Sequence, residues 1–227
     1  AVPHVICNGF TKEETEDFLI ELRYLGIDNV LAVRGDDSGY KKPIKFGRST
    51  NDYAVDLVKQ INNMNNGIYV EDTLLDADKT NFCIGVGGYP EKHFESPNMD
   101  LDIKYAKEKV EAGAEYIVTQ MFFDNKYYYD YVERCREVGI KVPIIPGLKM
   151  ITSKNQLTTL PKNFYIDLPT DLVNEISEAK GEHLLEVGVN WTAKQVEDLI
   201  NNSSPAIHFY IMQNSNPINM LMKKLNL

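Results

Sequence analysis

The sequence predicts an α/β fold built on a parallel sheet. Six short apolar runs alternate with stretches whose apolar residues recur at helical spacing, and the runs lead into polar residues. Continuous apolar strands that alternate with helices are typical of parallel sheets with both faces covered, and such sheets carry their polar chemistry at the carboxyl ends of the strands. The six strands are predicted over residues 4–7, 29–36, 82–89, 116–120, 143–147 and 207–210.

Helix signals fill the intervals between these strands. Thr11 and Glu14 form a capping-box pattern ahead of apolar residues at helical spacing, which predicts a helix near residues 11–24. Gly113 follows another apolar stripe and is placed to end a helix over 99–112. Further helices are predicted over 52–64, 127–138 and 184–200, and a long polar connector over 149–181.

Composition narrows the class of protein. A chain of 227 residues fits one large α/β domain, and we expect a single domain over residues 1–227. A net charge of -9 argues against nucleic acid and against an anionic membrane surface as partners. Three cysteines without Cys-x-x-Cys spacing indicate free thiols in a reducing compartment, so we expect a cytoplasmic protein, and no residue spacing supports a metal site.

Two architectures accommodate this alternation: a doubly wound open sheet and a (β/α)8 barrel that lacks two units. An open sheet that binds nucleotides calls for a Gly-x-Gly-x-x-Gly turn opening a helix. Residues 85–90 come nearest to that turn, but the sixth position is Pro90 and the next helix begins only near Met99. We therefore prefer the barrel, with its active residues on the loops that follow the strands.

Several segments carry a family resemblance that extends over essentially the whole chain. They are Pro3-His4, Leu31-Ala32-Val33-Arg34-Gly35-Asp36, Gly88-Tyr89-Pro90-Glu91-Lys92-His93, residues 107–114, Thr119-Gln120-Met121-Phe122-Phe123-Asp124, Pro143-Ile144-Ile145-Pro146-Gly147 and His208-Phe209-Tyr210. In order and spacing they resemble methylenetetrahydrofolate reductase, in particular its single-domain bacterial form of the Bacteroidetes type. Because the motifs agree together, a chance match is improbable.

The resemblance implies a TIM barrel that binds FAD, takes a hydride from NADH or NADPH and reduces methylenetetrahydrofolate to methyltetrahydrofolate in one-carbon and methionine metabolism. It also implies a folate as the small-molecule substrate, and we expect a homo-oligomer. The residues that match the FAD site of the family, or stand at its positions, are His4, Arg34, Gly35, Asp36, Ala54, Tyr89, His93, Ser96, Asp102, Tyr105 and Lys109. Those that match its folate site are Asp36, Gln120 and Gln156, and Gln120 also serves the nicotinamide.

These residue types suit the chemistry. A carboxylate such as Asp36 can accept from the amino group of a pterin, and an amide such as Gln120 can both donate and accept. Lys109 can offer charge to a pyrophosphate. Without the resemblance, other interpretations stay open: Arg34 and Asp36 as a simple ion pair, Lys109 as part of a solvated helix face, and His4 as a satisfied core histidine.

The chain also departs from the family. Tyr105, Glu108 and Ser96 stand where proteobacterial relatives carry Asn, Arg and Ala near the cofactor, and Asn214 replaces an arginine that contacts folate there.

A further departure concerns the family's acid, a glutamate on the first barrel strand. On the resemblance this glutamate would lie upstream of Ala1, so the six strands are expected to be strands three to eight of the barrel. We accordingly predict no catalytic residue in this chain and little reductase activity from it alone. Glu91 is the one conceivable surrogate acid.

Two other functions remain open at this stage. The chain could be a non-catalytic barrel that binds flavin or folate without turnover. It could also be another folate-using TIM barrel, such as a methyltransferase, that holds no flavin.

Overall fold

A computed structural model describes residues 1–35, 42–44, 47–74 and 76–227. Asp36, to which the sequence assigns both a flavin and a folate contact, lies outside these residues. The strands are β1 (His4–Ile6), β2 (Asn29–Val33), β3 (Cys83–Gly88), β4 (Tyr116–Met121), β5 (Ile144–Leu148) and β6 (His208–Phe209). The helices are α1 (Lys12–Tyr24), α2 (Ala54–Asn65), α3 (Met99–Glu111), α4 (Asn125–Glu137), α5 (Gln156–Phe164), α6 (Thr170–Glu178), α7 (Glu182–Asn201) and α8 (Asn216–Leu225).

The strands form a six-stranded sheet in the order of the chain, from β1 to β6. The pairings of β1 with β2, β2 with β3 and β5 with β6 are parallel. Their registers set His4 opposite Leu31 and Gly147 opposite His208. The predicted α/β fold with a parallel sheet is therefore confirmed, and β2 ends at Val33, so that Arg34 follows it directly.

The strand that opens the sheet is β1, which begins at His4, three residues after Ala1. The numbering of the six strands as three to eight of a barrel, and the position of the family's acid upstream of Ala1, stay predictions from the resemblance.

By its internal contacts the described chain divides into two compact units. The first comprises residues 1–87 and 104–117, and the second comprises residues 88–103 and 118–227. In the first unit, the apolar faces of the helices and the strands are buried. This core includes Leu19, Val30, Ala32, Leu57, Ile61, Met64, Ile84 and Val86.

The capping box predicted for α1 is confirmed in the first unit. Thr11 Oγ1 accepts from the Glu14 N–H at 3.2 Å, and the Thr11 N–H donates to Glu14 Oε2 at 3.0 Å. These two bonds satisfy backbone donors that a helix start leaves without partners. The segment just before α2 lies alongside this helix start. Thr50 forms an isolated antiparallel β-bridge with Thr11, and the Lys12 N–H donates to the Ser49 carbonyl at 2.9 Å.

The second unit corrects one prediction. Residues 149–181, expected as a polar connector, contain α5 and α6. Both helices are only nine residues long and α5 contains Pro161, so local propensity gives little signal. They form because Leu160, Leu172 and Ile176 pack into an apolar cluster with Ile151 and Val187.

Close packing around β5 requires a glycine in the Ile-Pro-Gly segment. The Gly147 N–H donates to Thr119 Oγ1 at 2.9 Å, and the Tyr210 hydroxyl donates to the Thr119 carbonyl at 2.8 Å. A Cβ atom on Gly147 would lie 2.2 Å from the Thr119 carbonyl oxygen and 2.7 Å from the Tyr210 ring. Because the first of these atoms belongs to backbone, no larger residue fits.

Within the described ranges, none of the helices combines the length and the apolar character that a membrane span requires.

Candidate functional site

A cavity of about 350 Å³ lies in the first unit, after β1 and β2 and before α2. Polar and aromatic side chains from these three segments line it, among them Asn8, Arg34, Asn51, Asp52 and Tyr53. Two sequence features place these residues together. Parallel strands end at the same edge of a sheet, and α2 begins at Ala54, directly after Tyr53.

The segment after β2 is held by the segment after β1. The Asn8 N–H donates to the Arg34 carbonyl at 3.0 Å, and Asn8 Nδ2 donates to the Gly35 carbonyl at 3.1 Å. Gly35 has φ +87°, a left-handed conformation that glycine adopts without steric cost. Hydrogen bonds from Asn8 therefore fix the backbone at Arg34 and Gly35, which are both predicted flavin residues.

Cys7 lines the same cavity but is not a nucleophile. Burial raises the pKa of its thiol to about 12, and the nearby carboxylates of Asp56 and Asp52 contribute to this rise. A thiol is reactive only as the thiolate, so Cys7 stays inert near neutral pH. In the part of the chain that the structure describes, Cys7, Cys83 and Cys135 form no disulfide.

A chain of buried amides starts at the cavity wall. Asn51 Nδ2 donates to Gln60 Oε1 at 2.6 Å, and Gln60 Nε2 donates to the Lys12 carbonyl at 2.8 Å and to Glu16 Oε1 at 3.4 Å. Sequence reasoning missed both amides. The available signal was Gln60, a polar residue on the face of α2 that also carries Leu57, Ile61 and Met64, all of which are buried.

His4 lies away from this cavity lining. It is the first residue of β1, and it lines a second cavity of about 160 Å³ together with Phe10 and Phe18. Its assignment to the flavin stays a prediction from the resemblance.

Lys109, in the same unit, reaches the end of β3. Its Nζ donates to the Gly87 carbonyl at 2.6 Å. The side chain therefore contacts the protein and is not only part of a solvated helix face. Glu108, which departs from the family pattern, pairs with Lys104 at 3.9 Å on the exposed face of α3. Tyr105, on the same helix, is 46% exposed.

Four predicted cofactor residues come together in the second unit. Ser96 Oγ donates to Asp102 Oδ1 at 2.7 Å, and the His93 N–H donates to Asp102 Oδ2 at 3.3 Å. The Tyr89 and His93 rings meet edge to face with their centroids 4.5 Å apart. Lys92 stabilises the same loop, because its Nζ donates to the Ser96 carbonyl at 2.6 Å.

Glu91, the conceivable surrogate for the acid expected upstream of Ala1, is partly enclosed in this unit. Its Oε2 accepts from the Asp167 N–H at 2.6 Å, and its Oε1 is buried with no hydrogen-bond partner in the described ranges. Burial raises the pKa of Glu91 to about 7, and the carboxylates of Asp167 and Asp124 add to the effect. The carboxyl group can therefore hold a proton near neutral pH, although the buried Oε1 is shielded from solvent.

The predicted folate residues take different environments. Gln120 Oε1 accepts from the Met121 N–H at 3.0 Å, at the end of β4. Gln156 Oε1 accepts from the Thr152 and Ser153 N–H groups at 2.6 Å and 3.1 Å, so this amide orders the start of α5. At Asn214, where the resemblance leads us to expect an arginine, the side-chain Oδ1 accepts from the Asn216 N–H at 2.9 Å.

Over the residues that the structure describes, no group of three His, Cys, Asp or Glu side chains is placed to hold a metal ion.

Comparison with known proteins identifies the family. The family model described as methylenetetrahydrofolate reductase matches residues 1–226. The chain belongs to the methylenetetrahydrofolate reductase family. Methylenetetrahydrofolate reductase 2 of Saccharomyces cerevisiae is 30% identical over 99% of the chain, which covers 36% of the yeast protein. The resemblance predicted from the sequence is thereby confirmed.

Two further relatives show how the chain compares in length. The probable methylenetetrahydrofolate reductase (NADPH) of Caenorhabditis elegans is 28% identical over 99% of the chain and 32% of the nematode protein. The 5,10-methylenetetrahydrofolate reductase of Salmonella typhimurium is 29% identical over 93% of the chain and 65% of the bacterial protein. The chain thus spans about a third of the length of the yeast and nematode relatives.

Proposed function

We propose that this chain carries the barrel portion of an FAD-dependent methylenetetrahydrofolate reductase. In this proposal NADH or NADPH reduces the flavin, and the flavin reduces methylenetetrahydrofolate to methyltetrahydrofolate. The observation that carries the proposal is the family match over residues 1–226. The six strands in chain order support a (β/α)8 arrangement, in which the chain forms one domain.

The residues of the first unit fit part of a flavin dinucleotide. The cavity beside Arg34 offers a cation for phosphate and a tyrosine ring, Tyr53, that is 62% exposed. Asn51 adds a buried amide oxygen for which the described residues provide no hydrogen-bond partner. Arg34, Gly35 and Ala54 would hold the cofactor there, and Lys109 would supply a further positive charge. A bound flavin supplies the hydride chemistry.

The second unit offers a different kind of support. Tyr89 and His93 present aromatic edges on a loop that Asp102 fixes, so they would orient the cofactor rather than neutralise its charge. Gln120 and Gln156 would contact the folate, and Asp36 would accept from the pterin amino group. Gln156 would contribute through its amide nitrogen, because its Oε1 already accepts from backbone N–H groups.

A visible spectrum of the purified chain tests the proposal. We expect flavin absorption bands that bleach when NADH or NADPH is added without oxygen. Bands that persist under these conditions would instead favour a binding module without turnover. A colourless protein that also fails to take up added FAD would contradict flavin dependence and favour a folate enzyme of another kind.

A matched pair of variants ties the result to the cavity. Arg34→Met removes the cation from the cavity wall, and we expect it to weaken FAD binding. Arg134→Met removes an arginine of α4 whose side chain is 51% exposed and pairs with Asp100, and FAD binding should be unchanged. Equal binding by both variants would remove the cavity from the proposed cofactor site.

A further inference from the structure

Asn51 is a buried polar residue at the cavity of the first unit. Its side chain is one of those that line the cavity, yet the residue is only 4% exposed. Among the residues that the structure describes, its buried Oδ1 has no hydrogen-bond partner. An unpaired buried acceptor destabilises the fold, so such atoms are rare in folded proteins and call for a physical reason.

Gln60 fixes the orientation of the Asn51 amide. Gln60 must point its Nε2 toward the Lys12 carbonyl and the Glu16 carboxyl, because both of these groups accept. Its Oε1 therefore faces Asn51, and Asn51 must offer its Nδ2 to it, at 2.6 Å.

Glu16 anchors this arrangement at its far end. The residue is 8% exposed, and its Oε1 also accepts from the Val70 N–H at 2.9 Å. A flip of the Asn51 amide would set two oxygens against each other at the Gln60 contact. The oxygen of Asn51 is consequently the atom of this amide that has no partner in the described part of the chain, on a side chain that lines the cavity.

We propose that Asn51 is a specificity residue of the cofactor cavity, where its Oδ1 accepts a hydrogen bond from an O–H or N–H group of the bound dinucleotide. Gln60 is the positioning residue that presents this oxygen. A fixed acceptor favours a neutral donor such as a sugar hydroxyl or an exocyclic amine, and it disfavours phosphate oxygens and carbonyls. Arg34, in the same cavity, suits the phosphates instead. The inference rests on the proposed function, because it takes the ligand to be FAD.

The test compares Asn51→Leu with the parent chain by calorimetric titration with FAD, FMN and ADP. Leucine has the same branching and the same number of side-chain heavy atoms as asparagine, and it lacks the acceptor. Loss of one such hydrogen bond should weaken FAD binding roughly 5- to 100-fold. Weaker binding of ADP assigns the donor to the adenosine half, and weaker binding of FMN assigns it to the flavin and ribityl half. Either result supports the inference.

Controls separate recognition from folding. Asn63→Leu makes the same change at an exposed position of α2 and should leave all three affinities unchanged. Gln60→Met frees the Asn51 amide to turn and should weaken FAD binding in the same direction, although Asn51 itself is intact. If the leucine variant does not fold, Asn51→Ala provides the same comparison.

The outcomes for the inference and for the proposed function differ. FAD binding by a folded Asn51→Leu chain within two-fold of the parent value overturns the inference and leaves the proposed function in place. Failure of the parent chain to bind FAD, FMN and ADP overturns the proposed function, and the inference falls with it.

Discussion

Ser96 donates from its Oγ to Asp102 Oδ1 at 2.7 Å, and this bond ties the loop after β3 to the first turn of α3. The second carboxylate oxygen of Asp102 accepts from the His93 N–H at 3.3 Å. The resemblance assigns Asp102 to the flavin directly. In the structure, the carboxylate of Asp102 fixes the backbone at His93. If a cofactor binds here, Asp102 would therefore act on it mainly by holding this loop in place.

We predict that Asp102→Asn lowers the free energy of unfolding by about 1 to 3 kcal/mol. An amide can replace one accepting oxygen but not both, and the bonds lost involve a charged group. Urea unfolding measures the change. Asp100→Asn is the matched control on the same helix, because the Asp100 side chain is 91% exposed and its loss should cost under ~0.5 kcal/mol. Equal effects from the two variants would contradict the proposed role of Asp102.

Glu91 should make stability depend on pH near neutrality. Burial raises its pKa from 4.5 in the unfolded chain to about 7 in the fold. The folded state therefore binds the proton more tightly, so the stabilisation is present below pH 4.5 and is lost as the pH rises through 7. Since the side chain is only partly enclosed, the loss should be on the order of 1 to 2 kcal/mol between about pH 5 and pH 8.

Glu91→Gln checks this expectation. The amide stays neutral, so the variant should gain stability over the parent chain as the pH rises from about 5 to 8, in urea unfolding at several pH values. Glu178→Gln, at the exposed end of α6, serves as the control and should follow the parent chain. A stability difference that does not change with pH would show that Glu91 is charged in the fold throughout this range.

Gly147→Ala should destabilise the fold by about 1 to 3 kcal/mol or more, as overpacking does in well-packed regions. The added methyl group would lie 2.2 Å from the Thr119 carbonyl oxygen. Thermal unfolding measures the effect. Adding Tyr210→Ala to the variant should not restore stability, because the obstructing oxygen belongs to the backbone. Rescue by that second change would show that the ring, not the backbone, sets the limit.

The fold was predictable from the sequence where its signals are local. The capping box of Thr11 and Glu14 lies within four residues, and the apolar runs of the strands mark each strand directly. The signal for α5 is weaker, because a nine-residue helix with Pro161 depends on the packing of Leu160 in a distant apolar cluster. Sequence patterns do not record that packing.

The candidate site was predictable only in part, and for the same reason. Motifs predict Arg34, Tyr89 and Gln120 as site residues, and of these Arg34 lines the cavity of the first unit. The partners of buried groups, by contrast, are distant in sequence. The hydrogen bond between Glu91 and Asp167 joins residues that are 76 positions apart in the sequence, and the bond between Gln60 and Lys12 joins residues 48 positions apart. No periodicity or spacing rule connects such pairs, so their contacts, and the shifted pKa of Glu91, emerge only from the fold.

Variants of Lys109 test whether its ammonium group binds the cofactor or only stabilises the fold. Its Nζ donates to the Gly87 carbonyl at 2.6 Å, and the resemblance also assigns it to the cofactor. Lys109→Met keeps the aliphatic stem and removes the ammonium group. If that group meets a pyrophosphate, binding of ADP should weaken by roughly 3- to 30-fold, because one charge-assisted bond is lost, and the effect should shrink at high salt. Riboflavin, which has no phosphate, should bind as before.

Lys107→Met is the control for Lys109, since Lys107 lies on the same helix and its ammonium group pairs with Glu111 at 3.7 Å on the exposed face. Its loss should leave both affinities unchanged. A parallel loss of ADP and riboflavin binding in Lys109→Met, together with a lower unfolding midpoint, would assign the lysine to the fold alone. In that case the bond to Gly87 would account for the residue, because it holds the end of β3 against α3 whether or not a phosphate is bound.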